Sequence, residues 1–408
     1  MKTIIHAGNL WDGLACRPLG YTEIAVVDGK ISEIGKRITC ENGAKVIDLS
    51  TRFVMPGFID CHVHLTGNSK ILANIAECND TVLTLAAVDA CARVLYNGFT
   101  TVRDAGDFSI VSWIVPVLKK AVESGEIPGP TIISGGHMLS AVGGHFDFGG
   151  VARNGITVDQ VSIVEGIDGV RRGVHNEIRH GADWIKYAGS GGFLSPSDGP
   201  EDVSYSQEEV NAIVSAARDL HKPVFVHAYD NESIYRASVA DVRSVEHGSF
   251  ASVETLDMLS AKGIFLVPTQ YAVVSWARNY NPNDPEYVQE KKRKYADTIL
   301  SCARNIAESD VIVAFGTDLG TFDYSTNGAV EFSEMLHNGI KPLRALWAAT
   351  SVAAELLQLN TGSIAVDKCA DIIAMPGNPF NDIAVTEKVN FVMKNGIVYR
   401  DDCCSYDE

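Results

Sequence analysis

Gly57-Phe58-Ile59-Asp60-Cys61-His62-Val63-His64-Leu65 sets two histidines one residue apart at the end of an apolar run that opens on Pro56-Gly57. Successive residues of a strand point to opposite faces, so His62 and His64 present both imidazoles on one side while Val63 turns into the packing behind them. Two convergent imidazoles suggest a metal, most often zinc.

Outward from that stretch, short apolar runs alternate with helical ones: 98–104, 131–134, 184–187, 224–227, 244–247, 264–268 and 312–318. With the histidine strand these make eight. Helical patterns such as Ser206 to Leu220 and Pro285 to Glu308 fall between them, which fits βα units and predicts an α/β fold built as a (β/α)8 TIM-like barrel rather than an open sheet. The ends read differently. Thr22–Val27 and Lys30–Ile34 alternate around Asp28-Gly29, and Val389–Lys394 leads through Asn395-Gly396 into Ile397-Val398; both dipeptides are strong hairpin signals. The expected organisation is a discontinuous β-sandwich domain, residues 1–56 with 360–408, around a barrel over residues 57–359.

Composition narrows the partners. The 408 residues are 46% apolar, enough for a large core, and carry a net charge of −17 with a pI near 5.1. So acidic a chain repels nucleic acid and anionic membrane surfaces and weakly favours cationic substrates. Met1–His6 runs straight into an alternating strand pattern without the apolar core of a secretory signal, and no apolar run is long enough to cross a bilayer. The nine cysteines, including adjacent Cys403 and Cys404, form no CxxC pair and read as reduced thiols of a cytoplasmic protein. Gly143 to Gly150 is glycine-rich but has no Walker lysine, so no nucleotide site is expected.

Further ligand-type residues recur at the C-terminal ends of the apolar runs, where barrels build their active sites. These are Lys186 after Trp184-Ile185, His227 after Val224-Phe225-Val226, His247 after Ser244-Val245-Glu246, and Asp318 after Ala314-Phe315-Gly316-Thr317. Six positions on five strands thus point to one mouth.

This set, with the Pro-Gly-Phe-Ile-Asp-x-His-x-His block and the β-rich ends, resembles the amidohydrolase superfamily across essentially the whole chain. The resemblance implies that CO2 carboxylates Lys186 and that the carbamate bridges two Zn²⁺ or similar divalent ions in each subunit. It places His62, His64 and Asp318 on the more buried ion, His227 and His247 on the more exposed one, and a hydroxide between the metals. Carboxylation explains how a lysine, protonated at neutral pH, comes to lie in a metal site. Asp318 is then suited to take the water's proton and pass it to the leaving nitrogen.

Trp184–Gly192 followed by Leu194-Ser195-Pro196, the Gly143-Gly144-His145-Phe146-Asp147 loop and His227-Ala228-Tyr229 are similar to the branch of Xaa-Pro dipeptidases and imidazolonepropionase-like proteins. Some of its members are zinc-dependent carboxypeptidases that prefer arginine or lysine. That implies metal-dependent hydrolysis of the amide bond before a C-terminal amino acid, with Arg or Lys preferred, in dipeptides or N-acyl amino acids, and His145 and Tyr229 on the scissile carbonyl or the α-carboxylate. It also implies a homo-oligomer. A basic side chain needs an acidic partner, and the loop acids Asp198, Glu201, Asp202 and Asp323 are the candidates; spacing singles out none of them, and such a residue is more often a solvated loop acid than a specificity determinant.

Blander readings stand beside these. His62 and His64 alone could be a structural pair, His145 a loop cap, and Tyr229 a mouth aromatic satisfying a loop carbonyl. His137, His175, His180, His221 and His337 read as ordinary polar residues, and Arg103-Asp104 as a structural ion pair. A deaminase or cyclic-amide hydrolase on the same barrel would place a proton-shuttling acid near Asp230 or Glu232. A non-catalytic scaffold would lack metal ligands, and none is missing.

Overall fold

A computed structural model describes residues 2–402 apart from 41–42, 68–78, 110, 148, 150, 154–155, 159, 196–197, 280–281 and 283. Pro196, Cys403 and Cys404, named above, lie outside the described residues.

The barrel forms as the apolar runs predict. Its strands are Phe58–Val63, Phe99–Asp104, Thr131–Ser134, Ile185–Ala188, Val224–Ala228, Ser244–His247 and Phe265–Val267, nearly all buried along their length. The first three pair in parallel, as do the last four, while Thr131–Ser134 meets the start of the next run through Asp183 and Trp184 N–H groups on the Ser134 carbonyl; burial on both faces is why these runs are mostly apolar instead of alternating. The eighth segment closes the ring without a regular ladder. Ala314 donates to Leu266 on one side, while Cys61 donates to Phe315 and Asp318 to His62 on the other, at 2.7–2.9 Å. Gly316 permits this close approach, because a Cβ there would lie 2.3 Å from Val267 Cγ1 and 2.9 Å from the His62 Cβ.

Local signals set the outer helices. Ser206 caps Gln207–Asp219 and forms a capping box with Glu209, and Ser252 caps Val253–Lys262, which ends on left-handed Gly263. The long helix Glu286–Glu308 starts after Pro285. Among the described residues no helix is long and apolar enough to cross a membrane.

Both ends of the chain meet in one seven-stranded sheet: Lys2–Leu10, Gly20–Val27, Lys30–Gly35 and Lys45–Pro56 with Ile372–Met375, Phe391–Lys394 and Ile397–Asp401. The twelve-residue strand Lys45–Pro56 joins the halves, pairing first with Lys2–Leu10 and then with Ile372–Met375. The two hairpins turn as predicted, with positive φ at Asp28, Gly29, Asn395 and Gly396. Their tips touch, Gly29 against Asn395, although they lie on opposite halves of the strand order. The sheet therefore folds over itself and encloses a core to which Ile5, Ile24 and Ile31 contribute from one end and Ile372, Phe391 and Met393 from the other.

Candidate active site

All six ligand-type residues line one cavity of about 320 Å3 at the C-terminal ends of the barrel strands. Each is nearly buried, from Lys186 at 1% exposed to Asp318 at 8%. His62 Nε2 and His64 Nε2 lie 3.4 and 3.3 Å from Asp318 Oδ1. The ring centroids of His62 and His247 are 4.9 Å apart, and those of His227 and His247 4.7 Å. His247 and Asp318 both hold left-handed backbone, φ 70° and 64°, which turns each side chain inward with local strain.

The histidines are oriented from behind. Nδ1 of His62 meets Glu246 Oε2 at 2.7 Å, Nδ1 of His64 donates to the Gly106 carbonyl at 2.9 Å, and Nδ1 of His247 meets Thr269 Oγ1 at 2.7 Å. His227 reverses the pattern, with Nε2 donating to the Gly191 carbonyl at 3.2 Å. Each ring is thus fixed through one nitrogen, leaving Nε2 of His62, His64 and His247 and Nδ1 of His227 for a shared ligand. Burial favours the neutral form of three of them: His62 and His227 fall well below the usual histidine range and His247 falls to about 3. Burial also lowers Lys186 to about 8. For Asp318 burial acts in the opposite direction, but the groups around it, His64 first and then His247 and Lys186, outweigh it and keep the carboxyl below its usual range.

Asp318 Oδ1 is buried and finds no hydrogen-bond partner among the described residues. An anionic oxygen stripped of water is costly unless a cation takes the place of the missing donor. His62, His64 and Asp318 offer ligand atoms within 4.8 Å of one another, so the residues fit a divalent ion.

His145 and Tyr229 reach the same cavity. The His145 ring stacks on His227 at 4.0 Å between centroids, and Gly192 makes room for it, since a Cβ there would lie 2.2 Å from the imidazole. Its Nδ1 stands 3.5 Å from Asp198 Oδ2, too far for a hydrogen bond, and is otherwise unpartnered among the described residues. Tyr229 stacks on His247 at 5.1 Å. Farther out the wall is apolar and aromatic, with Phe146, Phe193, Tyr271, Val273, Trp276 and Phe322 around the mouth.

The sequence model of the amidohydrolase family matches residues 53–398. The chain belongs to that family. Over 433 aligned positions this amidohydrolase is 29% identical to the ochratoxinase of Aspergillus niger, covering 98% of this chain and 86% of the fungal enzyme. Among solved structures, a Xaa-Pro dipeptidase with bound methionine in its active site superposes with a TM-score of 0.89 at 35% identity, over 98% of this chain and all (100%) of the other. A prolidase complexed with N-methylphosphonate-L-proline gives 0.88 at 30% identity, over 98% of this chain and 100% of its own. The fold and family support amide hydrolysis on a barrel that generally binds divalent metals.

The four loop acids lie elsewhere in this amidohydrolase. Asp198 organises its own loop, accepting Gly192 N at 2.8 Å and the Ser195 hydroxyl. Glu201 meets Tyr295 and Lys294 at 2.6 and 3.2 Å, Asp202 accepts Gly199 N at 2.6 Å, and Asp323 accepts Ser325 N at 2.7 Å. None of them lines the cavity; among its described lining residues Asp318 is the one acid.

Arg103 does not pair with its neighbour, as the sequence suggested. Asp104 instead accepts the backbone N–H of Leu65 at 2.7 Å, while Arg103 spans the barrel interior to Glu246 at 2.8 Å. Asp60 also supports the site from within the barrel. It receives His62 N at 3.0 Å and the Thr317 hydroxyl at 2.6 Å, binding the histidine strand to the segment that ends in Asp318. The available signal was a charged residue inside a continuously buried strand, which requires a partner.

Proposed function

We propose that this amidohydrolase cleaves the amide bond before the C-terminal amino acid of dipeptides or N-acyl amino acids with two divalent ions, zinc in this reading. His62, His64 and Asp318 would hold the more buried ion, His227 and His247 the more exposed one, and a carbamate on Lys186 would join them. The observation that carries the reading is the set of ring nitrogens facing the buried, unpartnered Asp318 oxygen, with Lys186 on the same wall. A lysine lowered to about 8 keeps an appreciable fraction of neutral amine near neutral pH, the form that reacts with CO2.

When bound, the ions supply the acidity that activates a water and the positive charge that polarises the amide carbonyl. The chain's residues supply the rest. Asp318, kept ionised, accepts the water's proton on a carboxylate oxygen and returns it to the leaving nitrogen. His145, kept neutral by burial, and Tyr229, whose phenol burial holds protonated, are placed to donate to the scissile carbonyl or the α-carboxylate. The aromatic wall excludes water.

A preference for Arg or Lys gains no support, because none of the candidate acids faces the cavity. The wall supports an apolar or aromatic side chain instead. The deaminase reading gains no support, because neither Asp230, which caps the helix Asn231–Val239, nor Glu232, which pairs with Arg236 at 2.7 Å, is among the described residues lining the cavity. We further propose a division of the chain into residues 1–56 with 360–408 and residues 57–359.

The test is a screen of zinc-loaded protein against dipeptides and N-acyl amino acids varied at the C-terminal residue, with cyclic imides and aminopyrimidines alongside. Release of free amino acid, with two ions per subunit, is expected. Turnover confined to cyclic imides or aminopyrimidines, or full activity with one ion, would replace the reading.

A further inference from the structure

We propose that Arg103 and Glu246, which contact no cavity space, are positioning residues that fix His62 for metal binding through a chain of contacts across the barrel interior. The inference rests on the reading of His62, His64 and Asp318 as ligands.

The chain begins at Arg103, which is fully buried. Its Nε donates to the carbonyl of Cys61 at 2.7 Å, the residue just before His62, and one terminal nitrogen donates to Ser244 Oγ at 3.1 Å. The other terminal nitrogen meets Glu246 Oε1 at 2.8 Å, and the guanidinium lies 4.0 Å from the centre of the Phe225 ring. Ser244 Oγ donates to the same Glu246 oxygen at 2.6 Å, and Glu246 Oε2 lies 2.7 Å from His62 Nδ1. Ser244–His247, which shares no ladder with either strand, is therefore joined to the paired strands Phe58–Val63 and Phe99–Asp104 by side chains that reach across the interior.

The direction of each hydrogen bond follows from this arrangement. Arginine only donates and an ionised carboxylate only accepts. With Oε1 already taken by two donors, Oε2 is left to accept from His62 Nδ1–H, and the lone pair of His62 must sit on Nε2, the nitrogen facing Asp318 and His64. The guanidinium acts twice on the same ligand: through Glu246 it sets which ring nitrogen is open, and through Cys61 it holds the backbone that carries the ring. A buried ion pair is weak as a source of stability, since apolar groups of like size can replace it without loss. Its contact with a ligand at both backbone and side chain points to the metal site as its use.

The experiment measures Co²⁺ affinity by competition with a chromophoric chelator, the visible absorption bands of the Co²⁺-loaded protein, and thermal unfolding of the metal-free protein. The variants are Glu246→Gln and Arg103→Met, with Arg103→Lys as the conservative control. The amide of Glu246→Gln keeps the size of the carboxylate but turns one oxygen into a donor, and the thioether of Arg103→Met keeps contact with Phe225 without charge. Both variants are expected to lose about 10–100-fold in Co²⁺ affinity with altered absorption bands, while Arg103→Lys recovers part of the loss. If Arg103→Met does not fold, Arg103→Lys alone reports on the guanidinium, with an intermediate loss expected. Wild-type affinity and spectrum in folded Glu246→Gln, or in whichever Arg103 variant folds, would overturn the inference while leaving the metal site intact. Wild-type protein that binds no Co²⁺ at all would overturn the ligand reading and this inference together.

Discussion

Exchanging the substrate's C-terminal phenylalanine for lysine tests the aromatic wall most directly. Burying a phenylalanine side chain against Phe193, Tyr271 and Trp276 is worth ~2 kcal/mol relative to leaving it in water. A lysine ammonium in the same space meets no carboxylate except Asp318, which the metal reading already commits. Its burial costs several kcal/mol, reduced to about 2 kcal/mol when its flexible stem keeps the charge near the mouth. Together these set kcat/KM for Phe about 10³-fold above Lys, at ~1.4 kcal/mol for each factor of ten. Ser275 lines the cavity from the π-helical turn Tyr271–Ser275, so Ser275→Asp puts a carboxylate where the ammonium would lie. One charge-assisted contact of about 1.5–3 kcal/mol narrows the preference by roughly ten- to a hundredfold. Initial rates for N-acetyl-Phe and N-acetyl-Lys, read as released amino acid with both proteins, decide the matter. Lysine within about tenfold of phenylalanine in the wild type, or no gain for lysine in Ser275→Asp, would refute the reasoning.

Asp318→Asn removes the proton carrier and one anionic ligand, so kcat should fall by at least about 10²–10⁴-fold with retained secondary structure, checked by single-turnover kinetics and circular dichroism. Chelation should abolish hydrolysis, and adding back divalent ion at about a hundred times its Kd should raise stability by ~2.7 kcal/mol, visible by calorimetry. Lys291 donates to the carbonyls of Gly192, Ser195 and Asp198 at 2.8, 2.7 and 2.5 Å, holding the loop that carries Phe193; Lys291→Met should raise KM about tenfold with little change in kcat, as steady-state kinetics would show. His137 is raised above 6.5 by Glu177 and the nearby Asp107 despite burial, and Glu177 is lowered below 4.5 by His137 and Trp113 despite burial. Their joint contribution to stability is therefore full between pH 4.5 and 6.5, fading above as His137 deprotonates and below as Glu177 protonates; urea unfolding of Glu177→Gln from below pH 4.5 to above pH 6.5 should show a flatter profile than the wild type on both flanks.

What the sequence reveals and what it hides divide along a physical line. The barrel was legible because its strands are buried, which leaves short apolar runs, and because the candidate ligand histidines end those runs. The terminal hairpins were legible because Asp28-Gly29 and Asn395-Gly396 supply the positive φ that the turns demand. His62, His64, Lys186, His227, His247 and Asp318 could be gathered because each occupies the same place relative to its own strand. The partners behind them follow no such rule. Glu246 precedes the candidate ligand His247 and Arg103 precedes Asp104, so adjacency in sequence points Arg103 to the wrong carboxylate, while the true contact spans 143 positions. The loop acids gain no support for a related reason: a carboxylate in a loop after a strand is near the mouth in sequence, yet Asp198 accepts from Gly192 N and the Ser195 hydroxyl and Asp202 from Gly199 N, all in their own loop. Charge balance offers the better guide. A buried arginine and a buried glutamate on different strands must find each other or another partner, or remain unpaired at a heavy desolvation penalty, and in a closed barrel the interior is the place where they can meet. The same reasoning makes the unpartnered oxygen of Asp318 informative, since among the described residues no donor answers it and a cation would.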